Sequence, residues 1–148
     1  MSAFYRNAQK HLTIDGMPLH NLMADFGSPI YVYSGAGLKR AFTAFQAAVS
    51  PVSGKVHFAL KANSALGVVA LLARCGAGAD IVSIGELARA QAAGIATKDI
   101  VFSGVGKSAV DIRTALAAGI GQINAESAAE VAQISALAAN MGVIAPVA

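Results

Sequence analysis

The 148-residue chain has no tryptophan, one cysteine, four prolines and few charges, with only 13% of its residues Asp, Glu, Lys or Arg. A single cysteine, Cys75, cannot close an intrachain disulfide, which excludes a disulfide-stapled secreted scaffold. Charge this sparse excludes a long coiled coil, and 55% hydrophobic residues exclude a disordered chain. The N-terminus lacks an apolar run of signal-peptide length. The uncharged stretch 131–148 is interrupted by Gln133, Ser135, Asn140, Gly142 and Pro146, too often for a spanning helix. No membrane partner is expected, and the cytoplasm is the expected compartment. The net charge of +3 arises early: residues 1–60 carry five basic and two acidic side chains, and the remainder carries six of each. No helical face collects lysines and arginines, so no nucleic-acid partner is expected either.

What the chain has is alanine, about a fifth of all residues, and 15 glycines, small side chains that suit close packing of helices on a sheet. Short β-branched or aromatic runs recur at 30–33, 55–60, 79–83, 99–103, 121–124 and 143–148, separated by Ala-rich helical patterns. Ser34 or Gly35 opens one helix and Asn63 or Ser64 the next. Ser83 with Glu86 forms a capping-box pattern, Ser108 and Asp111 begin another helix, and Glu126 suits the first turn of the last. Gly94 and Gly119 stand where helices stop. From the second run onward strands start about every 20 to 24 residues, the length of a strand, a helix and two loops.

Such alternation implies an α/β fold with a parallel sheet and right-handed crossovers, either doubly wound or a (β/α)8 barrel. A whole barrel takes about 250 residues, so four units and the start of a fifth strand are half of one.

Three motifs invite ligand readings that their spacing does not support. SGAGLKR at 34–40 has two glycines of a dinucleotide turn but Arg40 in place of the third, and no acidic residue follows at the required distance. SGVGKS at 103–108 resembles a phosphate-binding loop, yet the position that needs its first glycine is Val101. Cys75 has no histidine near it in sequence, because every histidine lies at or before His57, and it reads as a small apolar residue near a helix end.

HFALKANS at 57–64 differs, because it puts Lys61 at the end of an apolar strand, just before a polar turn. Strand alternation puts His57, Ala59 and Lys61 on one face and Val56, Phe58 and Leu60 on the other. The larger apolar face suits the helix layer, so Lys61 is expected on the lumen face at the C-terminal rim, where barrels place their chemistry. An ammonium taken out of water there, with no carboxylate beside it in sequence, points to use of the amine. The plain alternative is a lysine that stretches to the rim.

Five blocks in order, GSPIYVYS (27–34), HFALKANS (57–64), GAGADIVSIGELARAQAAG (76–94), IVFSGVGKS (100–108) and INAES (123–127), resemble the pyridoxal-phosphate decarboxylases with an alanine-racemase-like barrel, nearest their diaminopimelate-cleaving branch. The resemblance implies that Lys61 carries pyridoxal 5'-phosphate covalently and that Asp80, on the next strand, stands close to it. It also implies decarboxylation of an amino-acid substrate, meso-2,6-diaminopimelate to L-lysine in that branch. The parent enzyme is then expected to be a homodimer. No metal is implied.

On this resemblance residues 1–54 hold a strand and connecting helix of a small β-domain, and residues 55–148 are the first half of a pyridoxal-phosphate-binding barrel. Ile84 departs from a small residue found in many members. The residues that hold the phosphate, stack on the ring and meet the pyridine nitrogen are expected beyond Ala148, so an N-terminal part, inactive and self-associating on its own, is expected. Ornithine, arginine and carboxynorspermidine decarboxylases, a racemase, a lysine-dependent aldolase and a non-catalytic half-barrel module stay open as alternatives.

Overall fold

Asp15 and Gly16 both take positive φ values, 48° and 85°, and this tight reversal joins the last two strands of the chain's first sheet. The computed structural model describes residues 3–148. Strands β1 (Phe4–Arg6), β2 (Leu12–Ile14) and β3 (Met17–Pro18) pair antiparallel in that order, with Thr13 opposite both Tyr5 and Pro18. Helix α1 (Leu19–Phe26) follows and ends at Gly27.

The strand expected at 30–33 is not part of a sheet. Residues 27–34 run without assigned strand, with Ile30 and Val32 half-buried and Tyr31 and Tyr33 exposed. The period-two pattern is therefore present without a ladder partner. Helix α2 (Gly35–Val49) is capped by Ser34, whose hydroxyl accepts from the Gly37 amide at 2.8 Å.

The second sheet is parallel. Strands β4 (His57–Ala59), β5 (Gly78–Ile81), β6 (Ile100–Phe102) and β7 (Gln122–Ile123) lie side by side in chain order. They alternate with α3 (Leu66–Arg74), α4 (Ile84–Ala92), α5 (Ala109–Ala118) and α6 (Ala128–Met141). Register pairs link Ala59 to Asp80, Asp80 to Val101 and Val101 to Gln122, a constant step of 21 residues. Beyond α6 the chain returns to the sheet: Val147 bridges Ile123 in parallel, and the Ile123 amide donates to the Pro146 carbonyl at 2.7 Å.

The two faces of this sheet differ because alternate residues differ. Ala79, Ile81, Ile100, Phe102 and Ile123 are at most 1% exposed and pack with Leu87, Ile112, Ala115 and Ile134 from the helices. Burying each large side chain contributes about 1.5–3 kcal/mol. The opposite row, Ala59, Asp80, Val101 and Gln122, is only half-buried. As expected, Val56 and Phe58 face helices, packing with Phe42, Val68 and Leu72 of α2 and α3. Gly78 is required by contact, since a Cβ there would collide with the His57 ring and the Asp99 carbonyl.

The structure bounds its helices as expected at Ser34, Ser83, Ser108 and Gly119, and differs at two points. Helix α3 has Ala65 at its N-cap with no side-chain cap, and Asn63 Oδ1 accepts the Ala65 amide in the turn before it. Helix α6 starts after Ser127, so Glu130 rather than Glu126 occupies its first turn. Among the described residues no helix is long and apolar enough to cross a membrane.

Candidate functional site

Lys61 stands at the C-terminal end of β4, but not in the strand. The strand stops at Ala59, and Leu60–Ala62 form one turn of 3-10 helix. This turn breaks the period-two alternation before it reaches Lys61. Leu60 is drawn fully into the main core, while Lys61 is exposed, which corrects the expectation that the strand end takes its ammonium out of water. Leu60 anchors the turn in the core, and two residues beyond it Arg89 Nη1 of α4 donates to the Ser64 carbonyl at 3.1 Å.

Asp80 is one strand away, in register with Ala59, two residues before Lys61. Its Oδ1 is buried and has no hydrogen-bond partner, the one such side-chain atom among the described residues. A buried acceptor without a donor is rare in a folded protein and marks a place where a donor or cation belongs.

At the ends of β6 and β7, in and just beyond the row that holds Asp80, the C-terminal rim carries further polar groups. Asn124 Nδ2 donates to Ser103 Oγ at 3.0 Å, and Gln122 Nε2 donates to Asn124 Oδ1 at 2.6 Å. Sequence reasoning singled out neither Ser103 nor Gln122 nor Asn124. The signal was there, because Ser103 and Asn124 stand two and three 21-residue steps after Lys61, with Val82 at the first, the same step that sets the strand register.

The motifs set aside on spacing are occupied otherwise. In SGVGKS, Lys107 is 6% exposed and its ammonium is bonded to protein acceptors, so it presents no free cation to a phosphate. In SGAGLKR, residues 35–37 are the first turn of α2, and an acid from the N-terminal hairpin already fills that helix end. Asp15 Oδ1 accepts from the Ser34 hydroxyl at 2.6 Å and Oδ2 from the Ala36 amide at 3.0 Å. These bonds, the hydroxyl's first, hold the Asp15 carboxyl below its ordinary range. Cys75 caps the C-terminus of α3, half-buried.

The arrangement offers a primary amine, a carboxylate on the adjacent strand with a buried unpaired oxygen, and a rim of hydroxyl and amide groups. This set fits pyridoxal 5'-phosphate, whose aldehyde needs an amine and whose cationic ring system tolerates a nearby carboxylate.

Comparison with known proteins gives one matching family model, one relative by sequence and two solved structures. The family model described as "Pyridoxal-dependent decarboxylase, pyridoxal binding domain" matches residues 36–148. The diaminopimelate decarboxylase of Pseudomonas aeruginosa is 46% identical over 143 residues, covering 97% of this chain and 34% of that protein. Among solved structures, diaminopimelate decarboxylase from M. jannaschii in co-complex with L-lysine superposes with a TM-score of 0.93 at 32% identity, covering 99% of this chain and 35% of that one. The enzyme from Helicobacter pylori complexed with L-lysine gives 0.84 at 41% identity, covering 87% and 33%. The chain thus spans about a third of the length of the relatives it matches.

Proposed function

The chain belongs to the pyridoxal-dependent decarboxylases, and from that premise we propose that Lys61 binds pyridoxal 5'-phosphate covalently for the decarboxylation of meso-2,6-diaminopimelate to L-lysine. The observation that carries this reading is the placing of an exposed amine just beyond the end of β4, one strand across from the unpartnered, buried Asp80 oxygen on β5. When bound, the cofactor supplies an electron sink for the pair released as the carboxylate leaves as carbon dioxide. Lys61 supplies the attachment point. Asp80 supplies a fixed negative charge one strand over, and its rigid strand position avoids reorganisation during the reaction. Ser103, Gln122 and Asn124 line the same rim as hydrogen-bonding groups.

On this reading the four parallel strands are the first part of a (β/α)8 barrel. Support comes from their order, which never reverses, and from the fifth segment that joins β7 through Val147. Residues 55–148 lie in that barrel, and residues 1–54 are the N-terminal segment before it, with the small β-domain's part of the chain and the connecting helix α2, which packs on Val68 and Leu72 of α3. The whole enzyme is a cytoplasmic homodimer.

The test is reductive trapping. Protein mixed with pyridoxal 5'-phosphate is reduced with borohydride, digested and mapped by mass spectrometry. A single dominant label on the peptide holding Lys61, absent in Lys61→Ala together with the visible absorbance band, is the expected result. Equal labelling of Lys55 and Lys98, unchanged in Lys61→Ala, overturns the assignment.

A further inference from the structure

Of the side chains buried in the described residues, the pair with the most charge is not at Lys61. Lys107 and Glu130 side chains are 2% and 9% exposed, and their charged atoms meet at 3.2 Å. A buried ammonium is tolerated only when its protons are all used. Those of Lys107 are: Nζ donates to the Gly104 carbonyl at 2.7 Å, to the Asn124 carbonyl at 2.7 Å and to the Glu130 carboxylate. It also lies 5.7 Å from the centre of the Phe102 ring. Glu130 in turn accepts the Glu126 amide at 2.7 Å.

The partners of Lys107 decide what this pair does. Gly104 follows Ser103, in the loop after β6, and Asn124 begins the loop after β7. The ammonium therefore joins two neighbouring rim loops, while Glu130 ties both to the first turn of α6. Gly104 and Gly106, at φ 92° and 73°, curl the first loop so that Lys107 folds back beneath it. The two residues adjoining the bonded carbonyls, or carrying them, are the same two whose side chains bond each other across the rim, Ser103 and Asn124.

We propose that Lys107 is a positioning residue: with Glu130 it clamps the loops after β6 and β7 together and so fixes the Ser103–Asn124–Gln122 row that a ligand at Lys61 meets. The inference rests on the reading of Lys61 as the ligand site, and it adds a residue that touches neither ligand nor Lys61. A hydrophobic replacement of the same shape would pack the interior equally well, so stability alone does not account for a lysine here.

The experiment compares wild type with Lys107→Met/Glu130→Leu, which removes both charges while keeping the interior filled. Three quantities are read: thermal midpoint, amide hydrogen exchange in residues 103–107 and 124–127, and the Kd for pyridoxal 5'-phosphate. The expected result is a thermal midpoint near that of wild type, exchange faster in those two loops, and a Kd raised roughly tenfold with the label still on Lys61. Unchanged exchange in both loops overturns the clamp, and faster exchange with an unchanged Kd overturns its positioning role. Glu130→Gln, which removes one charge but keeps an acceptor for Lys107, is expected to give the same two changes at smaller size and serves if the double variant does not fold. Failure of the Lys61 reading shows separately, as labelling independent of Lys61 in wild type, and the exchange result then still decides whether Lys107 holds the loops.

Discussion

Ala59 and Asp80 are register partners on adjacent parallel strands, which sets the Asp80 carboxylate one strand across from, and two residues short of, Lys61. Because Asp80 Oδ1 is buried without a partner, the carboxylate is a burden on the fold when nothing is bound. Asp80→Ala is therefore expected to leave the unliganded protein as stable as wild type, or more stable by about 1 kcal/mol, while weakening pyridoxal 5'-phosphate binding. Urea unfolding with and without the cofactor checks both halves. A loss above about 2 kcal/mol without cofactor would show that Asp80 serves the fold instead.

Lys107→Met alone is a different case from the double replacement, because it strands the Glu130 carboxylate in the interior. A loss of about 3–5 kcal/mol is expected, read as a lower urea midpoint. Leaving Lys107 unpaired through Glu130→Leu is expected to cost a similar amount, and the two losses should not add in the double variant.

Acid should expose that pair. Burial pushes the Glu130 carboxyl up, but the Glu126 amide and the Lys107 ammonium outweigh it, leaving the group below its ordinary 4.5. A carboxyl depressed by folding stabilises in full above its unfolded value, and that contribution disappears as the pH falls through the folded value. Asp111, held down by the Ser108 hydroxyl and amide, acts in the same direction, as does Asp15. Stability is expected to be flat above about pH 5 and to fall progressively below it. Glu130→Gln should show a shallower fall, and an identical acid slope would argue against the pair's contribution.

Asp15 links the N-terminal hairpin to α2 through Ser34 and Ala36. Ser34→Ala removes both the helix cap and that link, with an expected loss of about 1 kcal/mol. Asp15→Ala should release the hairpin without unfolding the parallel sheet, seen as faster proteolytic clipping within the first 30 or so residues. Clipping at the wild-type rate would mean that the hairpin is held by its other contacts.

Gly104 and Gly106 both sit in left-handed backbone, where a side chain costs about 1–2 kcal/mol. A Cβ on Gly106 meets open space, whereas one on Gly104 meets Val82 Cγ1 at 3.3 Å. Gly104→Ala should therefore lower the denaturant midpoint more than Gly106→Ala, and the reverse order would contradict the loop geometry.

The parallel half of this fold was readable because its signals are local. Alternating residues such as Ala79 and Asp80 announce a sheet with one buried face, and Ser83, Ser108 and Gly119 mark helix ends by their own hydrogen bonds. The antiparallel hairpin was missed although Asp15-Gly16 is a strong turn signal, because its strands are only two or three residues long. The strand expected at 30–33 shows the opposite limit: period-two polarity describes a side-chain pattern, but a ladder needs a neighbour that no single segment specifies. Lys61 was found from its place after an apolar run, yet its exposure was not, since the 3-10 turn at Leu60 depends on that leucine entering the core. Spacing set aside a phosphate-loop role for Lys107, but sequence order could not supply its actual role, since Glu130, its buried partner, stands 23 residues away.

The equal step between strands limits how this chain can change length. Ala59, Asp80, Val101 and Gln122 stand 21 residues apart, so a residue gained or lost between two strands must be absorbed in the intervening helix or loops. Carried into β6, a shift of one would turn Phe102 out of the core and Val101 into it, inverting every side chain downstream of the error. The return from Ile123 to Val147 takes 24 residues, and those three extra residues are accommodated before the strand begins. Insertions are thus expected to survive in the turns that leave the helices, such as those at Gly94, Gly119 and Gly142, and to be eliminated from the strands themselves.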